Sequence, residues 1–178
     1  MIIVETPRLL LRHFNVADAD ALQHVFGDPD VMNFGPGVQT PQWVDEWLRT
    51  WIDRRYATWG FGMWAVVEKS SGAVIGYCGL TQFNNRCAPD DVELGYRLAR
   101  AYWGHGYATE AAAAARHHAF AALALPRIIA MIDPANTASL RVALKLGMRY
   151  ERDILLEGYT HPDGVYAIER DEWERLRS

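Results

Sequence analysis

A single α/β domain with the element order βααβββαβαββ is the fold this sequence predicts. Three observations carry it. Helix-start and helix-stop signals alternate with short β-branched or aromatic runs along the whole chain. One strand-like segment, Val92 to Leu98, passes through a glycine turn directly into a run of helix formers beginning at Tyr107. The 178 residues, 50% apolar and 22% charged with no linker-like break, have the length and make-up of one globular unit, residues 1–178. A chain of this length buries roughly 70% of the surface its unfolded form exposes, so no metal or disulfide staple is needed.

Taken in order, Leu9 to Arg12 reads as the opening strand. Asn15 is an N-cap with Asp18 three positions on, and this helix runs to about Phe26 and stops at Gly27. Thr40-Pro41 opens a second helix with proline at its favoured first position. Trp43, Trp47 and Trp51 recur every fourth residue there and form one stripe. Phe61 to Glu68 and Ala73 to Phe83 form a hairpin about the turn Lys69-Ser70-Ser71-Gly72. Asn84 to Asp90 is a polar loop, and Val92 to Leu98 is the third strand of the meander. A helix from Tyr107 to about Phe120 follows, then a strand from Arg127 to Ile132. Asn136 caps the next helix, with Leu140, Ala143 and Leu144 on one face and Gly147 at its left-handed end. Arg149 to Tyr159 and Val165 to Ile168 close the chain as an antiparallel pair around His161-Pro162-Asp163-Gly164.

Bulk properties exclude several classes. A formal charge of -4 argues against nucleic acid as the main partner, since phosphate backbones demand a basic face. No apolar run approaches the ~20 residues of a membrane helix. Glu5 and Arg8 come too early for a signal peptide. The two cysteines, Cys78 and Cys87, lack metal-like spacing, and His117-His118 has no second cluster to join. A reducing cytoplasm, no membrane, no nucleic acid and no metal are therefore the expectations. Cys78 reads as a core residue, Cys87 as a loop residue, and the tryptophan stripe as packing.

The chemistry concentrates at Tyr102-Trp103-Gly104-His105-Gly106-Tyr107-Ala108-Thr109-Glu110-Ala111. Glycine tolerates positive φ and lets a ligand approach the backbone. The first helical turn presents unpaired N–H groups at the positive end of the helix dipole, so phosphate or pyrophosphate is the natural occupant. Thr109 stands where the third glycine of a dinucleotide fingerprint belongs, and no Gly-Lys-Ser/Thr occurs, so neither that motif nor a P-loop is present.

The segment Tyr-Trp-Gly-x-Gly-Tyr-Ala-Thr-Glu-Ala resembles the cofactor motif of the GNAT acetyltransferases, in the RimJ/RimL-like branch that acetylates ribosomal-protein N-termini. Thr6 to Arg12 is similar to that branch's opening strand and Glu93-Leu94-Gly95-Tyr96 to its fourth strand. Asn136 to Ser139 with Lys145 to Met148 is similar to its second conserved helix, and Glu172-Trp173 to its ending. The resemblance covers nearly the whole chain. It departs at Ala101, where the signature has Gln or Arg; Arg100 is adjacent.

The resemblance implies a mixed, mostly antiparallel twisted sheet with splayed central strands, flanked by helices. It implies acetyl-CoA as co-substrate, with pantetheine between the splayed strands against Leu98, Ala99 and Arg100. Pyrophosphate is then expected on Gly104, His105, Gly106, Tyr107, Ala108 and Thr109. His105 itself reads as an exposed turn residue. The acceptor is a primary amine. With an amine pKa of ~10.4, about one molecule in 10³ is neutral at pH 7, a deficit of roughly 4 kcal/mol, so a base must take its proton. Relatives carry a glutamate for this at the position of Glu93, although ordering the strand or binding substrate are alternative roles. Many relatives protonate the departing thiolate with a tyrosine seven residues after the asparagine. That place is Ala143 here, and the branch offers Ser139 instead, beside Asn136 as a cofactor contact. A non-catalytic acyl-CoA-binding module is the rival reading. The acceptor is either a small molecule or a peptide, and a homodimer is compatible with the family.

Overall fold

The computed structural model describes residues 1–82 and 91–176. Its core is an eight-stranded sheet in the order β1-β2-β3-β4-β5-β6-β8-β7. The strands are β1 (Ile2–Glu5), β2 (Leu9–Arg12), β3 (Met63–Glu68), β4 (Val74–Gln82), β5 (Val92–Leu98), β6 (Arg127–Ile132), β7 (Arg149–Ile154) and β8 (Asp163–Glu169). Every neighbouring pair is antiparallel except β5 and β6, which run parallel and share one rung, Glu93 opposite Ile129. On its other side β5 is paired along its full length, from Gln82 opposite Val92 to Gly76 opposite Leu98. The sheet is thus continuous at Glu93 and splits open beyond it.

Helices cover both faces. One carries α1 (Ala19–Phe26), α2 (Pro29–Met32) and α3 (Pro41–Thr50), which runs through a π-helical turn (Trp51–Arg55) into α4 (Tyr56–Trp59). Their buried side chains, among them Leu22, Phe26, Met32, Val44 and Leu48, pack on Met63, Ala65 and Tyr77 of the sheet. The opposite face carries α5 (Tyr107–Ala121) and α6 (Thr137–Lys145), with α7 (Arg170–Arg175) after β8. Here Ala111, Ala112, Ala115 and Ala119 of α5 meet Trp64, Cys78, Leu80 and Leu94. The alanines let the helix axis lie close to the strands, which fixes where its N-terminus stands relative to β5.

Each expected element forms, with differences that have local causes. Asn15 and Asp18 do make a capping box: the Ala17 N–H donates to the Asn15 side chain, and the Asn15 N–H donates to Asp18. It encloses a 3₁₀ turn, however, and α1 begins only at Ala19. The expected first strand is the second. β1 precedes it as an exposed edge strand too short to show alternation. The α2 helix, a single turn capped by Asp28 with Pro29 at its first position, and α7, capped by Glu169, were not expected. In α6 the buried side chains are Val142 and Ala143, with Leu146 just beyond, while Leu144 is exposed, contrary to the expected face. The tail strand β7 ends at Ile154, well before Tyr159, and Asp163-Gly164 belongs to β8. The loop at 84–90, with Cys87, lies outside the described residues.

Ala115 is fully buried against the sheet. Overpacking such a site typically costs about 1–3 kcal/mol. Ala115→Leu is therefore expected to lower the midpoint of thermal unfolding by several degrees, about 2–4 °C per kcal/mol at this size. An unchanged midpoint would show that α5 does not lie tightly on the strands.

Candidate active site

The split between β5 and β6 opens into a cavity of about 1040 Å³. Its lining includes Glu93 to Leu98 on one edge and Ala130 to Ile132 on the other. Gly104, Gly106, Tyr107, Ala108 and Thr109 close one end, with Asn136 and Ser139 beside them. Nine of the twelve residues expected from the sequence at the site therefore line one space, together with the unexpected Tyr96 and Arg97. Leu98 is among the nine, as is Tyr107, where the glycine turn becomes helix; Ala99, Arg100 and His105 are not.

Backbone parity explains which groups face the gap. In an antiparallel ladder the bonded pairs alternate. The Ala99 N–H donates to the Ile75 carbonyl at 2.8 Å, so the odd-numbered residues of β5 turn their backbone groups toward β4. Those of Leu94, Tyr96 and Leu98 point toward β6, into the opening. Ala99 is thereby committed to β4. Arg100 bonds outward to Asp30 at 2.5 Å and lies 3.5 Å from Asp28. Its charge is spent on α2 and does not reach the glycine turn. At the strand end the Trp103 indole N–H donates to the Leu98 carbonyl at 2.8 Å.

The glycine turn has the form an anion needs. Gly104 and Gly106 both have φ of 80°, and Gly106 is the N-cap of α5. No side chain caps this helix, so its first N–H groups stay open. The turn is braced from the N-terminal hairpin by Arg8, which sequence reading took only as part of a strand motif. Arg8 Nη1 donates to the His105 carbonyl at 2.9 Å, and its guanidinium lies 4.5 Å from the Tyr107 ring centre. Arg8 Nε meets Glu110 at 2.6 Å, and the Thr6 hydroxyl donates to the same carboxylate at 2.6 Å. Tyr107 in turn donates to Glu68 at 2.5 Å. His105 is exposed, as a turn residue should be.

Side chains alternate across β5, and this divides the chemistry. Glu93, Gly95 and Arg97 face the α1–α3 layer; Leu94, Tyr96 and Leu98 face α5 and α6. On the latter side the Tyr96 hydroxyl lies 3.2 Å from Ser139 Oγ. Burial pushes the Tyr96 pKa up to about 12, against the lowering effect of Ser139, so the phenol keeps its proton. Asn136 caps α6 through the Ser139 N–H at 3.1 Å, which fixes the serine at the gap. The cavity wall on the α1–α3 side is aromatic: Phe26, Trp43, Trp47, Trp51 and Tyr77, with Phe34 also in the lining. The tryptophan stripe therefore both packs and lines the cavity. His117 and His118 pack edge-on against Trp173 and Trp64.

A second acidic group stands at the far end of β6. His161 Nε2 is 2.8 Å from Asp133, and ligand atoms of Asp133, His161 and Asp163 lie within 4.8 Å of one another. Sequence reading found no such cluster, because its members meet only through β6 and β8. Asp163 is buried, and its Oδ1 has no hydrogen-bond partner. Burial, and then the Asp133 charge, raise its pKa above the ordinary aspartate value.

The chain matches the family model described as acetyltransferase (GNAT) domain over residues 8–149. It belongs to the GNAT acetyltransferase family. It is 36% identical over 164 residues to the uncharacterised protein YkkB of Bacillus subtilis, covering 90% of this chain and 92% of that one. It is 32% identical to an uncharacterised N-acetyltransferase, p20, of Bacillus licheniformis, covering 89% and 88%. Among solved structures, a GNAT-family acetyltransferase from Bacillus anthracis superposes with a TM-score of 0.81 at 30% identity, covering 96% and 99%. An aminoglycoside acetyltransferase in complex with coenzyme A shares the fold at 17% identity and a TM-score of 0.78, covering 96% and 99%. The protein is an acyltransferase of a family that uses acetyl-CoA, with no helix among the described residues long and apolar enough to cross a membrane.

Two carboxylates with opposite shifts make a paired prediction. The Asp163 pKa is raised in the folded state, so its charged form destabilises the fold at neutral pH and the penalty fades as pH falls through that raised value. Asp163→Asn is expected to raise the unfolding midpoint at pH 7 by a few degrees, a gap that closes in acid. Glu110 behaves oppositely. Burial raises its pKa, but the Thr6 hydroxyl, the Arg8 N–H and the Arg8 guanidinium together hold it below the ordinary glutamate value. Glu110→Gln should lower the midpoint at pH 7, and the difference should vanish below the native glutamate's pKa. Thermal melts across pH 3–8 for both variants check this; differences that do not move with pH would rule it out.

Proposed function

We propose that the protein transfers acetyl from acetyl-CoA to a primary amine by direct attack, without a covalent enzyme intermediate. One observation carries the reading. The backbone edge of Leu94, Tyr96 and Leu98 faces an open gap that ends on the uncapped N-terminus of α5. An elongated ligand with a pyrophosphate at one end fits that combination: amide groups along the edge, anionic oxygens on the helix N–H groups. When bound, acetyl-CoA supplies the thioester carbonyl that the amine attacks.

The chain's own residues divide the remaining work. N–H groups on the Tyr96–Leu98 edge are aimed to hold a carbonyl oxygen as charge builds on it. Glu93, on the α1–α3 side of the strand, takes the proton that a cationic amine must lose. The Tyr96–Ser139 hydroxyl pair, on the α5–α6 side, holds a proton for the departing sulfur. A thiol with a pKa of about 8.5 is a good leaving group, so this weak acid suffices. Asn136 keeps the serine in place by capping α6. The RimJ/RimL-like assignment is supported by the Thr6–Arg12 segment and by a serine in the acid position, with Ala143 where a tyrosine is common. A cytoplasmic location belongs to the same reading, in keeping with the cysteine usage.

The test is release of free thiol from acetyl-CoA in the presence of a panel of primary amines. Turnover is expected with at least one of them, and acetyl-CoA consumption that never depends on an amine refutes the proposal. For the base, Glu93→Gln should lower kcat by about 10²-fold and remove the acid-side limb of the pH profile. An unchanged rate and profile would take the role from Glu93.

A further inference from the structure

Arg97 differs from the three arginines that brace the sheet and its flanks through carboxylates. Arg8, Arg12 and Arg127 each hold a carboxylate within ion-pair distance, at 2.6, 2.7 and 2.7 Å. Arg97 is partly buried, lines the cavity and forms no ion pair with any described residue. Its one hydrogen bond with a described residue runs from Nη1 to the Tyr77 hydroxyl at 2.9 Å. Burial raises the Tyr77 pKa, so that phenol is neutral and gives the cation no counter-charge. A guanidinium has five N–H donors in a planar fork, and its charge is expensive to hold away from water without an anion. Its natural partner is a carboxylate, taken two-pronged.

The surroundings say which carboxylate. Glu93, Gly95 and Arg97 share one face of β5, the Cα atoms of the charged pair about 13 Å apart along the strand at the usual rise, with Glu93 near enough to raise the Arg97 pKa. The residue between them is glycine, and Met63 Cε packs over it, 3.0 Å from where a Cβ would stand, so the midpoint is floored by an apolar side chain. A positive group beside Glu93 and a negative one beside Arg97 describe a zwitterion of zero net charge. Tyr77, the partner of Arg97, belongs to the aromatic wall: its ring is 5.4 Å from Phe26 and 5.3 Å from Trp47. A ligand held at Arg97 therefore has its remaining substituent against Phe26, Trp43 and Trp47.

We infer that the acetyl acceptor is a free amino acid with an apolar or aromatic side chain, whose carboxylate is bound by Arg97 while its amine is presented toward Glu93. This rests on the acetyl-transfer reading above and narrows its acceptor. It sets a free α-carboxylate, absent from the N-terminal residue of a protein, as the recognition element. Gly35 helps to set the fork, since a Cβ there would stand 2.2 Å from Arg97 Nη2.

The wild-type protein gives the first test. Thiol release is compared for phenylalanine, tryptophan and methionine, for phenylalanine methyl ester, and for phenethylamine and tryptamine. The amino acids should exceed the ester and the decarboxylated amines by at least about tenfold in kcat/KM, because a site built for a polar group rejects analogues that lack it. Equal or better turnover of the ester or amines overturns the assignment while leaving acetyl transfer intact; no turnover of any amine removes the transfer reading and this one with it. Arg97→Gln should collapse the amino-acid preference toward one, chiefly through KM, and Arg97→Lys should restore part of it. Gly35→Ala, which displaces the fork but keeps its charge, should erode the same ratio. An unaltered ratio in folded Arg97→Gln overturns the role of the arginine.

Discussion

A single rung joins β5 to β6, and the rest of the structure depends on how that join fails beyond it. Parallel strands ordinarily exchange evenly spaced hydrogen bonds along their length. Here Glu93 pairs with Ile129 and the strands then part. The Leu94 carbonyl, both backbone groups of Tyr96 and the Leu98 N–H are left facing an opening, a costly state for amides within a sheet, while the Leu98 carbonyl is taken by the Trp103 indole. The opening persists because each edge is held from behind. The β5 strand is bonded along its whole length to β4, and β6 from Arg127 to Ile132 to β8. Closing the gap would break one of these ladders. The molecule thus keeps unused hydrogen-bonding capacity in the one place where an extended ligand can take it up.

The period of two along β5 then sorts the chemistry without further design. One face of the strand carries Glu93 and Arg97, the other Tyr96. In the reaction proposed above, the carbonyl lies in the gap between them, approached by an amine from the α1–α3 side and left by sulfur on the α5–α6 side. Proton acceptance and proton donation are separated by the sheet itself, so Glu93 and the Tyr96–Ser139 pair do not compete for one proton. Gly95 carries no side chain between the two charged neighbours, and Met63 packs over it, 3.0 Å from where a Cβ would stand.

Much of this was legible before any coordinates. The strand, glycine turn and helix start at 92–110 are local, and φ of 80° at Gly104 and Gly106 is what glycines at such a turn predict. The capping by Asn15 and Asn136 is local too. What escaped was long-range or too short to show a period. Tyr96 and Ser139 are 43 residues apart and meet only because β5 runs past the start of α6. Arg8 finds Glu110 across 102 residues of chain. β1 and α2 are four residues each, less than the repeats that reveal a strand or helix. Leu144 misled because a leucine in an apolar run reads as core, whereas the helix turns it outward and seats Val142 and Leu146. Arg97 looked like the polar half of an alternating strand; only its place on the cavity wall, bonded to the Tyr77 hydroxyl and without an ion pair among the described residues, makes it informative.

The brace at Arg8 gives the proposed anion site a support other than the long polar side chain for which Ala101 stands. An anion at the glycine turn draws on three sources: open N–H groups, the helix dipole and nearby cations. Arg100 is removed from the third by Asp28 and Asp30. Arg8 is in reach, since its Nη2 lies 3.5 Å from where a Gly106 Cβ would stand, but Glu110 offsets its charge. Its larger effect is mechanical. It ties the His105 carbonyl and the Tyr107 ring to the β1–β2 hairpin and so holds two glycines, the most conformationally free residues, in one arrangement. Binding through backbone N–H groups needs those groups prealigned more than it needs an extra charge, and a side chain at position 101 adds little once the alignment is supplied from elsewhere.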